Sequence, residues 1–162
     1  MKERRFEMEQ WLPLDREQVF SFFSTPHNLE AITPPWLNFR ILDQSTDEIQ
    51  LGTEFKYRLK VRGLPMHWHS RIDEWEPLSR FVDVQLSGPY ALWHHTHTFE
   101  EEGGGTLIRD VVRYALPMGR IGDLFGGAWV ARDVEKIFEY RRQRIEELLA
   151  GDRHHAAHAI AG

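Results

Sequence analysis

The chain has 162 residues, a formal net charge of −5 from 20 basic and 25 acidic side chains, and no cysteine. A single domain of this length buries a core without staples, disulfide and thiol chemistry are excluded, and interspersed charge argues against a nucleic-acid partner. The basic start at Lys2, Arg4 and Arg5 is followed by no apolar stretch, and no run approaches the ~20 apolar residues of a membrane span, so a cytoplasmic protein without membrane insertion is expected.

Residues 4–12 alternate through Phe6, Met8, Gln10 and Leu12 and read as a first strand closed by Pro13. Asp15 is a good N-cap, with Gln18 at the capping-box position, for a short helix through Val19, Phe20, Phe22 and Phe23. Thr25-Pro26 opens a second short helix bearing Leu29 and Ile32, which Pro34-Pro35 ends. Further strands are expected at 38–43, 53–61, 66–76, 80–87, 92–101 and 105–115, joined by connections short enough to force antiparallel neighbours. Residues 117–128, with four glycines and a proline, read as a loop. From Trp129 to Leu149, the positions Val130, Val134, Ile137, Phe138, Arg141, Ile145 and Leu148 repeat at helical spacing, one amphipathic helix. Domain 1–150 is then followed by a short tail, 151–162, whose small and polar composition predicts disorder and makes His154, His155 and His158 solvated rather than metal-binding.

The strands near 81–99 break the usual rule for a core. Period-2 alternation puts Phe81, Asp83 and Gln85 on one face with Trp93, His95, His97 and Phe99. Burying a carboxylate and two imidazoles beside large rings costs several kcal/mol unless each finds a partner, which suits a ligand-filled cavity better than a dry core. Hairpin arithmetic extends the face. A turn at Gly103–Gly105 pairs Phe99 with Ile108, His97 with Asp110, His95 with Val112 and Trp93 with Tyr114; a turn at Gly63-Leu64 pairs Leu59 with Trp68 and Tyr57 with Ser70; a turn at Leu78-Ser79 pairs Ile72 with Gln85 and Glu74 with Asp83. Tyr57, Trp68, Asp83, Gln85, Trp93, His95, His97, Phe99, Asp110 and Tyr114 are therefore the candidate ligand-binding residues. Lys56, Arg58, Lys60, Arg109 and Arg113 take the outer face, and the Arg141, Arg142, Arg144 cluster reads as a solvated helix face near the negative end of its dipole.

Several chemistries fit this face. Its polar groups can satisfy one another as an internal network that fixes register. They can also be the polar end of a pocket that orients an apolar guest against the rings. A histidine held by an aspartate can act as a general base near neutral pH, which makes His97 with Asp110, or His95 with Asp83, the catalytic candidates. His95 and His97 also stand at a step that can ligate zinc beside Asp83 or Asp110, but carboxylate-held imidazoles give the same pattern, so neither a metal nor another cofactor is expected.

The order of elements, with Asn28-Leu29-Glu30-Ala31-Ile32-Thr33-Pro34-Pro35-Trp36, Trp75-Glu76-Pro77, Gly88-Pro89-Tyr90 and Asp110-Val111-Val112-Arg113-Tyr114-Ala115-Leu116-Pro117, resembles the START-like (SRPBCC) superfamily. This superfamily includes Bet v 1-like and polyketide cyclase-like proteins. Within it the chain resembles a bacterial ligand-binding subfamily whose members are sometimes fused to, or labelled with, cell-division inhibitor proteins. The resemblance implies an α+β helix-grip fold: a curved antiparallel sheet of about seven strands wrapped around a long C-terminal helix, with two short helices after the first strand. It also implies a deep cavity for a small apolar molecule. The favoured function is binding or carrying a small hydrophobic or aromatic ligand; the alternatives are a cofactor-independent cyclase, dehydratase or isomerase and an interaction module without a ligand.

Overall fold

The computed structural model describes residues 1–151. Its strands are β1 (Glu3–Leu12), β2 (Arg40–Gln44), β3 (Glu54–Val61), β4 (Leu64–Glu76), β5 (Arg80–Ser87), β6 (Leu92–Glu102) and β7 (Gly105–Ala115). Helices α1 (Arg16–Phe23) and α2 (Pro26–Ile32) follow β1, and α3 (Gly119–Ile145) runs on into a π turn at Glu146–Ala150. All strands join one antiparallel sheet in the order β1-β7-β6-β5-β4-β3-β2. This is the expected helix-grip architecture: a curved sheet around the long helix. No helix among the described residues is long and apolar enough to cross a membrane. Residues 152–162, with the three tail histidines, lie outside the described residues.

Local chemistry sets the registers. In β1 the even positions Phe6, Met8, Gln10 and Leu12 turn inward while Glu3, Arg5, Glu7 and Glu9 face water. Gly103 and Gly104 close the β6–β7 hairpin with φ of 56° and 78°, and all four expected pairs, from Phe99 with Ile108 to Trp93 with Tyr114, are formed. Gly105 is needed for a different reason. A Cβ there would sit 2.3 Å from the Leu12 carbonyl oxygen, so the bare backbone lets β1 close against the hairpin.

Two registers differ from expectation. The β3–β4 turn is Arg62-Gly63, both at positive φ as a two-residue turn of matching twist requires, so Tyr57 pairs with Trp68 and Leu59 with Met66. Between β4 and β5 a bulge intervenes near Asp73, and Ser70 pairs with Gln85, Ile72 with Asp83 and Glu74 with Val82. In the first hairpin the shift is two residues, so each side chain keeps its face. Asp15 does precede α1, but its side chain makes no capping hydrogen bond.

The larger correction concerns 117–128, of which all but Pro117 and Met118 form the first turns of α3 rather than a loop. Glycine costs about 1 kcal/mol relative to alanine inside a helix, and tertiary contacts oppose that cost here. Asp123 is buried and binds Arg4, with Lys2 Nζ at 2.6 Å. A Cβ at Gly127 would lie 2.3 Å from Arg4 Nη2, so glycine makes room for this ion pair. The opposite side of the same turns leaves Ile121, Leu124, Phe125 and Trp129 exposed.

The core divides at the sheet's inner face. Phe20 and Phe23 of α1 each place their ring 5.3 Å from that of Phe99, and Phe81 packs beside them. A second cluster joins Val112 and Tyr114 of β7 to Val134 and Phe138 of α3. Between the clusters the aromatic side chains do not fill the interior.

Candidate functional site

A cavity of about 1020 Å³ lies between the sheet and α3. Its walls are largely apolar, with Phe23, Phe55, Tyr57, Trp68, Trp93 and Phe138 among them. It reaches the surface where exposed Arg62 and Gly63 of the β3–β4 turn stand against α3. There Arg62 Nη2 donates to Asp133 Oδ2 at 3.3 Å, and its guanidinium lies 4.4 Å from the Trp129 ring centroid.

At the inner end Asp83 of β5, His95 and His97 of β6, and Asp110 of β7 meet. In register Asp83 stands opposite His95, and Asp110 opposite His97. The shortest contacts run diagonally instead: His97 Nε2 to Asp83 Oδ2 at 2.8 Å and His95 Nε2 to Asp110 Oδ1 at 2.7 Å. The directly opposed pairs are longer, 3.5 Å for His95 Nδ1 with Asp83 and 3.2 Å for His97 Nδ1 with Asp110. The imidazoles therefore lie close together, centroids 3.7 Å apart and planes tilted by 32°, with a carboxylate at each end. Phe81 stacks on the outer side of His97 at 4.1 Å and fixes its ring plane.

Two imidazoles this close cannot both carry a positive charge cheaply, and their surroundings bias them in opposite directions. Burial pushes the His95 imidazole down, the neighbouring His97 charge adds to this, and together they outweigh the bond to Asp110. Burial opposes the charge on His97 too, but its contacts with Asp110 and Asp83 win and raise it. For both carboxyls burial acts upward and is overcome. Bonds and charge from the imidazoles, helped by Arg141, hold Asp83 below the usual carboxylate range and Asp110 well below it. These directions favour ionised carboxyls and make His97 the more readily protonated imidazole of the two. Asp83 is its accessible member, with 25% of its side chain exposed against 5% for His95 and 4% for His97.

One ligating atom each from Asp83, His95 and His97 falls within 4.8 Å of the others, the donor set of a metal centre. Both Nε2 atoms, however, already point at carboxylates, so hydrogen bonding accounts for these two donors, while His97 Nδ1 is buried without a hydrogen-bond partner.

The candidate residues divide. Tyr57, Trp68, Asp83, Trp93, His95 and His97 line the cavity. Asp110 lies behind His95, and Phe99 is sealed in the α1 cluster. Gln85 serves the β5–β6 turn, accepting from the Tyr90 backbone N–H at 3.2 Å and donating to its carbonyl at 2.7 Å. Tyr114 packs at 5.9 Å from the Tyr90 ring and belongs to the second core cluster. Arg141, read from the sequence as solvated, lines the cavity. The signal was present in its spacing, three residues after Phe138 and four before Ile145 on the buried stripe.

A curved sheet gripping a long helix over a largely apolar cavity defines the helix-grip class. The chain belongs to the polyketide cyclase / dehydrase and lipid transport family, whose sequence profile matches residues 12–139. Among solved structures it is similar to a protein of Thermus thermophilus, with 19% identity and a TM-score of 0.68 over 92% of this chain and 99% of that one. It is also similar to the major latex-like protein 151 of Panax ginseng, with 12% identity and a TM-score of 0.67 over 91% and 97%. The nucleoside-diphosphate sugar epimerase of Corynebacterium glutamicum shares 26% identity and a TM-score of 0.54 over 66% of this chain and 24% of its own. No curated protein matches the sequence.

Proposed function

We propose that the protein binds one small apolar or aromatic molecule in the cavity, with Asp83 accepting a hydrogen bond from the guest. The observation that carries this reading is the unfilled, largely apolar volume of about 1020 Å³, with Asp83, His95 and His97 grouped at its inner end. A module without a ligand would fill that space with side chains. Proton abstraction is less well served: both Nε2 atoms are bonded to carboxylates and the imidazoles are almost wholly buried, so the group that meets a guest is a carboxylate acceptor.

Native mass spectrometry of freshly purified protein tests the reading directly, with a co-purified small molecule as the expected result. In parallel, titration with the neutral aromatic fluorophore N-phenyl-1-naphthylamine should give saturable binding at one site. Trp93→Ala should weaken that binding, because Trp93 supplies cavity wall and packs 5.1 Å from the Trp68 ring. Absence of saturable binding, together with an empty mass spectrum, would remove the proposal.

A further inference from the structure

Arg141 stands out on the cavity wall because no acid among the described residues lies in ion-pair reach of it. Its guanidinium carbon lies 5.5 Å from the Phe23 ring centroid and 5.8 Å from that of Phe138, and its Nε is buried without a hydrogen-bond partner. The acids that line the cavity are both engaged, Asp83 by His97 at 2.8 Å and Asp133 by Arg62 at 3.3 Å. Among the described residues the lining cations without an acid in ion-pair reach are Arg141 and, at the exposed rim, Lys136.

A guanidinium held between two phenyl rings gains some cation–π attraction, but its N–H groups still need acceptors. The charge of Arg141 is felt at Asp83 and Asp110 and favours their ionised forms, yet it bonds to neither. Its planar fork matches a carboxylate in a way that a point charge does not.

We infer that Arg141 receives an acidic group of the guest, so that the ligand is an apolar or aromatic carboxylic acid rather than a neutral skeleton. This rests on the cavity reading above and narrows it to one ligand class. Such a guest would lay its apolar body along Phe23 and Phe138 and bring its charge to the guanidinium of Arg141, deeper in the cavity than the exposed rim cation Lys136.

The test uses two guests of one shape that differ by a single charge, 2-naphthoate and 2-naphthamide, each displacing N-phenyl-1-naphthylamine at pH 7. The expected result for the unaltered protein is about tenfold tighter binding of the naphthoate. Arg141→Met should abolish that preference while leaving naphthamide affinity within about twofold, and Arg141→Lys should keep part of it. Equal displacement by the two guests in the unaltered protein would overturn the assignment of Arg141 and leave the cavity reading standing. A preference that survives Arg141→Met would overturn it as well. Failure of the reporter itself to bind would remove both. If the methionine variant loses its thermal transition, the ratio in the unaltered protein and in Arg141→Lys decides.

Discussion

Asp110 and Asp123 are both buried carboxylates held in their charged form, but they lean on different partners. Asp110 sits on the inner sheet face against two imidazoles, of which His97 is the more readily protonated. Asp123 sits in the first turns of α3 against the ammonium of Lys2 and the guanidinium of Arg4. The first cluster can change its charge near neutral pH and opens onto the cavity; the second cannot, and ties the helix start to β1. Burial alone therefore does not mark a functional acid. The titratability of its partners does.

The largest effect should follow Asp110→Ala. It strands His95 and His97 in the interior and should cost about 3 kcal/mol in urea denaturation, because breaking a buried pair leaves an uncompensated group. The same reasoning applies to His97→Ala, which deprives Asp83 and Asp110 together. That variant should lose stability as well as affinity.

Next is the pH dependence. His97 is raised, so its contribution is fully present below about 6.5 and is lost as pH rises through its folded value. Asp83 and Asp110 are lowered, so theirs is present above about 4 and is lost as pH falls through their folded values. His95 is lowered too, so its unfolded form takes up a proton below about 6.5 that the folded form refuses, and it opposes His97 on the acid side. Urea midpoints should therefore decline above neutral pH, and His97→Gln should flatten that decline. Asp123, whose carboxyl is held down to about 2 by its bonds to Arg4 and Lys2, contributes only a limb lost between about 4 and 2. Asp123→Asn should keep the alkaline decline; if it flattened that limb, the distinction between the clusters would collapse.

A smaller effect is expected for Asp123→Asn at neutral pH, where amide exchange should quicken in residues 119–127 before the rest of α3. Phe125→Ser should be the mildest, within about 0.5 kcal/mol, since that ring is exposed.

Much of this arrangement is legible in the sequence wherever short turns fix the geometry. The three glycines after Glu102 specify the β6–β7 register and so bring Asp110 to the two histidines. The β3–β4 turn falls one residue earlier than the sequence suggests, because Gly63 is the second turn residue and Arg62, not Leu64, completes the pair at positive φ. Period-2 alternation absorbs the difference. The start of α3 is hidden because glycine breaks local propensity, and only the long-range pairing of Asp123 with Lys2 and Arg4 compensates for it. Arg141 is hidden for another reason: apolar periodicity locates a buried stripe but does not say whether that stripe meets a packed core or an open volume. The diagonal bonding of the histidines is likewise beyond reach, since register gives only the residue directly opposite.

The strand order carries a kinetic consequence. From β2 to β7 each strand pairs with its neighbour in the chain, and such hairpins form without closing long loops. Only β1 must find a partner about a hundred positions away, Glu9 beside Arg109, and that closure is slow because the entropy of the intervening chain is lost before any contact repays it. The first ten-residue strand should then dock late, so that changes in β1 alter chiefly how fast the protein unfolds, whereas changes in the β6–β7 hairpin alter how fast it folds.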